Sequence, residues 1–249
     1  MLWEVLDAAT LVPALLVTAV AGLMRGYSGF GSAIVLAPVY ATLWGPQAGV
    51  PVVLMMDLFS SLVLVPRALA TADRRVVLPM GVAAMVATPV GAAVLIAATG
   101  PDAADLLRRT IGALVLGFGL LLFGRWRYHG RRPAPLNLAV GALAGLMKGA
   151  TGMSGPPVIL YFLSGPEAVR QHRANLILFF GLIGVVAVFP PLFAGLIDGP
   201  ALLRTALMVP ALLGCVPLGA RLFGVVPERL YRPFALVLLL LSGGVALLS

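Results

Sequence analysis

The stretch AGLMRGYSGFGS at residues 21–32 returns as AGLMKGATGMSG at residues 144–155, 123 positions later in a chain of 249 residues. Six of the twelve positions are identical, and Lys148 stands in the second copy where Arg25 stands in the first. Each copy places one cation and several glycines inside apolar sequence. Duplicated breaks of this kind are typical of transporters built from two structural repeats. The pattern predicts two related halves whose Gly-rich turns meet around an anionic ligand.

Composition places the rest of the chain in a lipid bilayer. Hydrophobic residues make up 61% of the sequence and charged residues only 10%. Apolar runs close to the length of a membrane crossing, about 20 residues, recur from one end to the other. The segments do not alternate in polarity as barrel strands do. We therefore predict an all-α polytopic membrane protein with no soluble domain, whose first segment is retained rather than cleaved as a signal peptide.

The net charge of +8 is a topology signal rather than a nucleic-acid footprint, because the excess arginines lie in short loops between apolar segments. We expect no nucleic-acid partner. The single cysteine, Cys215, excludes an internal disulfide and a cysteine-based metal site.

The predicted segments follow the same order in both halves, which we take as an N-terminal repeat (1–124), a basic cytoplasmic linker (125–135) and a C-terminal repeat (136–249). Each half opens with a pair of short pieces around a break, at residues 25–31 and 148–155. Three long segments follow each pair. The predicted segments are about 9–24, 32–44, 48–66, 76–97 and 106–124, then about 136–147, 156–164, 174–194, 201–220 and 233–248.

Each short pair could be a re-entrant hairpin or one broken helix that crosses once, and the positions of Lys and Arg discriminate between the two. Two complete crossings per pair would give nearly the same count as hairpins, but the predicted pieces are too short for that. With hairpins the halves are inverted, and twelve Lys and Arg residues share one side while three lie on the other. With single broken crossings the halves are parallel and the counts are 8 and 7. The positive-inside rule favours inverted repeats, each a hairpin plus three transmembrane helices, with both termini outside.

The breaks are the predicted binding site. Their glycines allow positive φ and close approach to a ligand, and each new helix start, with Ser32 or Ser154 as its cap and Pro156 in a first turn, presents free N–H groups to an anion. The alternative is that the glycines only permit close helix packing. The predicted substrate-binding residues are Arg25, Gly26, Ser28, Gly29, Gly31, Ser32, Lys148, Gly149, Thr151, Gly152, Ser154, Gly155 and Asn175.

Arg25 and Lys148 would neutralise the ligand if the breaks lie at depth, because a buried cation needs a partner. The alternative is that both flank full-length helices and extend to a surface. Asp57, the acid in the middle of a long apolar segment, could couple transport to protons, act as counter-ion to Arg25 in the empty site, or bond a neighbouring helix. Asn175 could donate to a substrate oxygen or serve as a cap. Tyr27 and Tyr161 are weaker candidates.

Enzyme chemistry is not indicated. Histidines occur only at 129 and 172, in Arg-rich loops, and no His/Cys cluster has metal-ligand spacing. No P-loop is present, and no Ser/His/Asp arrangement can be argued. We expect no catalytic residues, no metal and no cofactor.

The residues resemble the TauE/SafE-type sulfite exporter family, which includes permeases of the toluene sulfonate uptake kind. The resemblance spans nearly the whole chain. Besides the repeated turn, it is carried by Gly45-Pro46 and Gly165-Pro166, by Pro-x-Gly-Ala at 89–92 and 217–220, and by Pro101-Asp102 and Pro227-Glu228. It implies secondary transport of sulfite, organosulfonates or related organic acids across a bacterial or archaeal cytoplasmic membrane.

The resulting hypothesis is a secondary transporter of a small oxyanion that works by alternating access, with Asp57 as the coupling residue. Two other classes stay open. One is a transporter or channel for a cation or a neutral solute, with Asp57 as its binding group. The other is a non-transporting membrane subunit of a complex. Gly- and Ala-rich faces would permit a homodimer.

Overall fold

The structure is a computed structural model that describes residues 7–97, 133–165 and 167–230 continuously. It also describes the isolated positions 102, 105, 106, 109, 110, 113, 117, 120, 233 and 237. The predicted segments at 106–124 and 233–248, and the linker before residue 133, fall outside the continuous ranges.

All regular structure in the described ranges is helical, as the composition predicts. Five of the stretches are long and apolar enough to cross a membrane, so the chain is a polytopic membrane protein. The helices are α1 (Ala8–Ser28), α2 (Ser32–Trp44), α3 (Pro46–Ala68), α4 (Arg74–Ala97), α5 (Ala134–Thr151), α6 (Gly155–Leu163), α7 (Val169–Ala187), α8 (Phe189–Phe193) and α9 (Gly199–Val225), followed by a 3₁₀ turn at Glu228–Leu230.

The predicted edges of the described long segments hold to within a few residues because apolar run length decides them. One predicted segment, at 174–194, is divided between α7 and α8. The division falls just before Pro190, which lies in the first turn of α8. A proline has no N–H, so the first turn of a helix accommodates it without loss of a hydrogen bond.

Each short pair is a helical hairpin. The hydroxyls of Thr18 in α1 and Tyr40 in α2 lie 2.5 Å apart, although 22 positions separate them in sequence. In one continuous helix they would be about 33 Å apart. Tyr161 of α6 likewise donates to Asn137 of α5. The alternative of a single broken crossing is therefore excluded for both pairs.

The helical breaks are shorter than predicted, and the first arms are longer. Helix α1 continues through Arg25 and ends only at Gly29, which has a φ of 79°. Helix α5 continues through Lys148 and ends at Gly152, with a φ of 73°. The prediction that the two cations lie inside the turns was wrong: each occupies the last helical turn before one. That position suits a cation, because the C-terminal end of a helix dipole is negative.

The two halves are interleaved rather than side by side. Helix α1 packs in parallel against α9 of the other half, where a Cβ on Gly26 would lie 2.0 Å from Val216 O. Helix α5 packs in the same way against α4, where a Cβ on Gly149 would lie 2.0 Å from Thr88 O. Backbone contact this close requires glycine. The predicted Pro-x-Gly-Ala motifs lie in these same contacts, since Gly91 faces Leu146 O.

Helices α3 and α7 pack antiparallel against each other at the centre of the fold. Gly184 of α7 faces Leu58 of α3, and Gly181 faces Ser61 and Val65. Helix α3 is largely buried, more so than the other candidate spans. Its middle residue, Asp57, is therefore held inside protein and away from lipid.

A buried Lys–Asp pair and an arginine at the two hairpin tips

Three charged side chains are sealed inside the molecule next to the hairpin tips. Arg25, Asp57 and Lys148 are each at most 2% exposed. The two cations contact α3 at positions that are one helical turn apart: Lys148 contacts Asp57, and Arg25 contacts Ser61. Four residues of helix span about 6 Å. The structure therefore brings the two predicted cations together and excludes the alternative in which they extend to a membrane surface.

Lys148 is the direct partner of Asp57. Its ammonium group donates to Asp57 Oδ2, and Ser32 Oγ donates to Asp57 Oδ1 at 2.5 Å. Of the roles considered for Asp57, that of counter-ion to Arg25 is fulfilled only through electrostatic interaction, because the carboxylate makes its direct ion pair with Lys148. Asp57 thus bonds the second hairpin to the start of α2, and each of its oxygens accepts a hydrogen bond.

Arg25 is held on several sides, but one nitrogen of its guanidinium has no hydrogen-bond partner among the described residues. Nη1 donates to Gly29 O at 3.1 Å, and Nη2 donates to Ser61 Oγ at 2.9 Å. The guanidinium lies 5.1 Å from the centre of the Phe180 ring. Arg25 Nε is buried and has no hydrogen-bond partner among the described residues. Since burying a donor unpaired is costly, this atom is an obvious contact for an oxygen of a ligand.

The two hairpins use equivalent bonds at equivalent positions, and they differ in one partner. Lys148 donates to Gly152 O at 3.1 Å, which matches the bond from Arg25 to the carbonyl of Gly29. At an offset of 123, Phe180 is the counterpart of Asp57. One cation therefore faces an acid and the other faces an aromatic ring. This difference leaves the positive charge of Arg25 without a paired carboxylate in the described cluster.

The hydroxyls next to the cations shape the turns. Ser28 Oγ donates to the carbonyl of Phe30 at 2.6 Å and accepts from its N–H at 3.2 Å. Thr151 Oγ1 accepts from Met153 N at 3.2 Å in the other hairpin. These two predicted binding residues are already bonded to their own turns, so they position the backbone of the tips.

The motif glycines divide into two groups. Gly29, Gly31 and Gly152 have positive φ, as expected of ligand-facing turns. The prediction of positive φ was wrong for Gly26, Gly149 and Gly155. The first two lie inside helices, where close packing is their structural role. Gly155 starts α6 and lies against the side chain of Ile34, which brings the two hairpins into contact.

The predicted serine caps are not formed. The N-cap of α2 is Gly31, and Ser32 bonds Asp57 instead of the helix backbone. Ser154 occupies the N-cap of α6 but makes no side-chain cap bond, and its buried hydroxyl has no partner among the described residues. Pro156 does lie in the first turn of α6, as predicted. Two polar groups near the tips, Ser154 Oγ and Arg25 Nε, are thus unused.

Asn175 and the two candidate tyrosines have structural partners. Asn175 Oδ1 accepts the N–H of Asp73 at 2.7 Å and so ties α7 to the loop after α3. The Tyr161 hydroxyl bonds Asn137 within the second hairpin. The carbonyl of Tyr27 accepts from Arg173 Nε at 2.9 Å.

Sequence reasoning missed three residues that hold the site: Ser61, Phe180 and Arg173. Ser61 and Phe180 contact Arg25, and Arg173 donates to the carbonyls at the end of α1. A signal was available for two of them. Ser61 lies one turn beyond Asp57 on the same helix face, and Phe180 is the counterpart of Asp57 at the repeat offset.

The cluster carries a formal charge of +1, since two cations surround one carboxylate. An excess positive charge inside a membrane protein is costly unless a ligand neutralises it. The arrangement therefore suits a small anion and offers no open carboxylate to a cation.

Comparison with known proteins agrees with this reading. A family model described as Sulfite exporter TauE/SafE matches residues 14–246. A probable sulfite/organosulfonate exporter TauE from Cupriavidus necator (strain H16) is 29% identical over 204 residues, which cover 78% of this chain and 77% of the relative. No solved structure matches the chain. Since the family match spans nearly the whole sequence, the chain belongs to the TauE/SafE sulfite exporter family.

Proposed function

We propose that this protein is a secondary transporter that moves a small oxyanion across a membrane by alternating access, with sulfite or an organosulfonate as substrate. The observation that carries the proposal is the buried formal charge of +1 at the hairpin tips, formed by Arg25, Lys148 and Asp57. Family membership and the exporter named among its relatives support the same substrate class.

The substrate binds where the two tips meet α3. Arg25 offers the unused Nε–H to one substrate oxygen, in addition to its full positive charge. A guanidinium is suited to an oxyanion because its donors form a planar fork. The N-terminal ends of α2 and α6 adjoin the same region and favour negative charge.

Asp57 competes with the substrate. Its carboxylate takes the hydrogen bonds of Lys148 and Ser32 that an oxyanion would otherwise accept. Protonation of Asp57 would weaken both bonds and release Lys148 for the substrate. On this proposal one proton accompanies the anion, and Asp57 is the coupling residue.

We also propose that the halves, residues 1–124 and 136–249, are inverted repeats. The antiparallel packing of the equivalent helices α3 and α7 supports this, because a twofold axis perpendicular to two helices relates them in opposite directions. On this proposal, which the positive-inside rule also supports, the basic loops lie in the cytoplasm and both termini lie outside a bacterial or archaeal inner membrane.

A cation or neutral-solute transporter built on Asp57 is the weaker alternative, because Lys148 and Ser32 already occupy both carboxylate oxygens. Substrate competition separates the two classes. Sulfite and organosulfonates compete with one another for the proposed site, whereas they would not inhibit a cation pathway.

Transport of radiolabelled sulfite into proteoliposomes tests the proposal. Arg25→Ala and Lys148→Ala are expected to lower uptake about tenfold or more, because a hydrogen bond to a charged group contributes about 1.5–3 kcal/mol. Arg229→Ala, which removes an exposed cation, is the control and should transport normally. Arg25→Lys, which keeps the charge, guards against a folding artefact. Unchanged uptake in both alanine variants would exclude this site.

A further inference from the structure

An arginine-lined cavity lies next to the first hairpin tip. It has a volume of about 310 Å³ and opens between the C-terminal end of α3, the N-terminal end of α7 and the last turns of α9. Its polar lining consists of Arg67, Thr71, Arg170 and Arg173. The acids of the neighbouring loops, Asp73 and Glu167, are not among the described lining residues. The cavity is therefore strongly positive and large enough for a small anion.

The inner end of this cavity is in contact with the first hairpin. Arg173, part of the lining, donates to Gly26 O at 2.5 Å and to Tyr27 O at 2.9 Å. Gly29 packs directly on Arg173 and Ile177, which also lines the cavity. Since Arg25 bonds the carbonyl of Gly29, the backbone of the tip lies between the cavity lining and the buried arginine.

At the equivalent place of the second hairpin, the described contacts are apolar. A Cβ on Gly152 would meet Val50 and Val53, and at the repeat offset of 123 Val50 is the counterpart of Arg173. The cationic lining is therefore a feature of one side of the fold. Charge needed only to orient the chain would not require an arginine that is half-buried and bonded to the tip.

We propose that this cavity is a vestibule that binds the substrate anion on one face of the protein and delivers it to Arg25. Arg67 and Arg170, both exposed, attract the anion, and Arg173 holds the tip that it must pass. The proposal rests on the function proposed above. It adds a second binding site, and it assigns the face of the protein on which the substrate binds before it reaches Arg25.

Thiol labelling tests the vestibule without any transport. Thr71→Cys is placed in a Cys215→Ser background, so that the cavity holds the only thiol of the chain. The ratio of the labelling rates for a sulfonate-bearing and a trimethylammonium-bearing methanethiosulfonate is measured at low ionic strength. We expect this ratio to be about ten times the ratio measured for a free thiol in solution, because a positive cleft concentrates the anionic reagent.

Matched variants assign the effect to the cavity. Arg67→Gln with Arg170→Gln should abolish the preference, and added sulfite should slow labelling of the parent. Arg75→Gln with Arg229→Gln removes the same charge from exposed positions outside the cavity and should leave the ratio unchanged. An equal response of the two pairs, or a parent ratio equal to that of a free thiol, would overturn the proposal.

Flux measurements separate this proposal from the proposed function. The Arg67→Gln and Arg170→Gln pair should raise the KM for sulfite several-fold with kcat unchanged, and high salt should remove the difference. Unchanged KM despite a lost labelling preference would overturn the vestibule. No sulfite flux in the parent would overturn the substrate assignment, while the labelling ratio still decides the vestibule. Protection by vesicles containing phosphatidylglycerol but not by sulfite would identify a lipid headgroup site and also overturn it.

Discussion

The carboxylate of Asp57 behaves as an anion tethered inside the protein. It lies against the start of α2 through Ser32 and against the second hairpin through Lys148, where the two repeats meet. A free oxyanion would seek the same donors. The carboxylate thereby neutralises Lys148 when no substrate is bound. On the proposed function, the substrate displaces it.

Asp57→Asn is therefore expected to separate substrate binding from coupling. The amide is isosteric but uncharged, so Lys148 loses its ion-pair partner in the empty protein. Breaking a buried pair by removing one partner costs about 3–5 kcal/mol, and we expect a lower melting temperature without ligand. Sulfite should restore more stability to Asp57→Asn than to the parent, because binding to the folded state raises the melting temperature.

Flux under an imposed pH gradient is the matching measurement. Acidifying either the inside or the outside of the proteoliposomes should change sulfite flux through the parent. The same pH gradients should have little effect on flux through Asp57→Asn. Ser60→Ala, a buried neighbour whose hydroxyl bonds only the backbone of α3 among the described contacts, is the control. If sulfite flux through Asp57→Asn stays as responsive to the pH gradient as flux through the parent, protons are coupled at another residue.

At the same scale, sequence reasoning identified the charged residues of the cluster but not their partners. The repeat indicated Arg25 and Lys148, and isolation within an apolar run indicated Asp57. Lys148 was not considered as the partner of Asp57, because the rotation of α3 relative to two hairpin tips depends on packing across the whole molecule. Ser61 takes the place beside Arg25 that Asp57 was expected to fill.

At the scale of the helix, glycines set how closely the arms of the hairpins pack. Gly149 of α5 lies so close to α4 that a Cβ would be 2.0 Å from the carbonyl of Thr88. The same relation holds between Gly26 of α1 and Val216 of α9. Arg25 immediately precedes Gly26, and Lys148 immediately precedes Gly149. The close helix contacts at these glycines therefore fix the position of each cation along its helix axis.

Gly149→Ala should therefore lower the stability and the transport activity together. Alanine favours a helix over glycine by about 1 kcal/mol, but here the backbone clash must force α4 and α5 apart. Gly214→Ala is the matched control, because a Cβ at that helical glycine meets nothing within 4 Å. Thermal unfolding in detergent should show a clear loss for Gly149→Ala and no loss for Gly214→Ala. Equal melting temperatures would refute the close packing.

Helix lengths could be predicted, and helix ends at the tips could not. Apolar run length predicts the bounds of α3, α4 and α9 to within a few residues, although each of these helices contains two prolines in its interior. At the tips, Gly26 and Gly29 look alike in the sequence, yet only the second has positive φ. The difference arises because α9 packs against Gly26 and keeps it helical. Information of this kind is absent from the local sequence.

For the molecule as a whole, the repeats exchange their first helices. Helix α1 lies against α9, and α5 lies against α4, so each half completes the other. The repeat pattern predicted two related halves, but it did not predict this exchange, because pairing between distant helices leaves no periodic signal in either one. A half expressed alone would expose the glycine-rich face of its first arm.

We therefore expect neither residues 1–124 nor residues 125–249 to accumulate as a folded membrane protein. Co-expression of the two pieces should restore a complex that co-purifies and binds sulfite in a thermal-shift assay. The control is a pair whose second piece carries Gly219→Leu, since Gly219 faces Leu23 O at the α1–α9 contact and a larger side chain should prevent association. Stable accumulation of either piece alone would contradict the exchange.

This exchange also constrains the order of events at the ribosome. Helix α1 cannot pack against α9 until Val216, which lies 190 positions after Gly26, has been synthesised. At roughly 5–20 residues per second, synthesis of that stretch takes on the order of 10–40 s. During this interval a newly inserted first helix, with a guanidinium on its last turn, has to be sheltered from lipid. Biogenesis of the protein should accordingly depend on an insertion factor that retains early segments until translation ends.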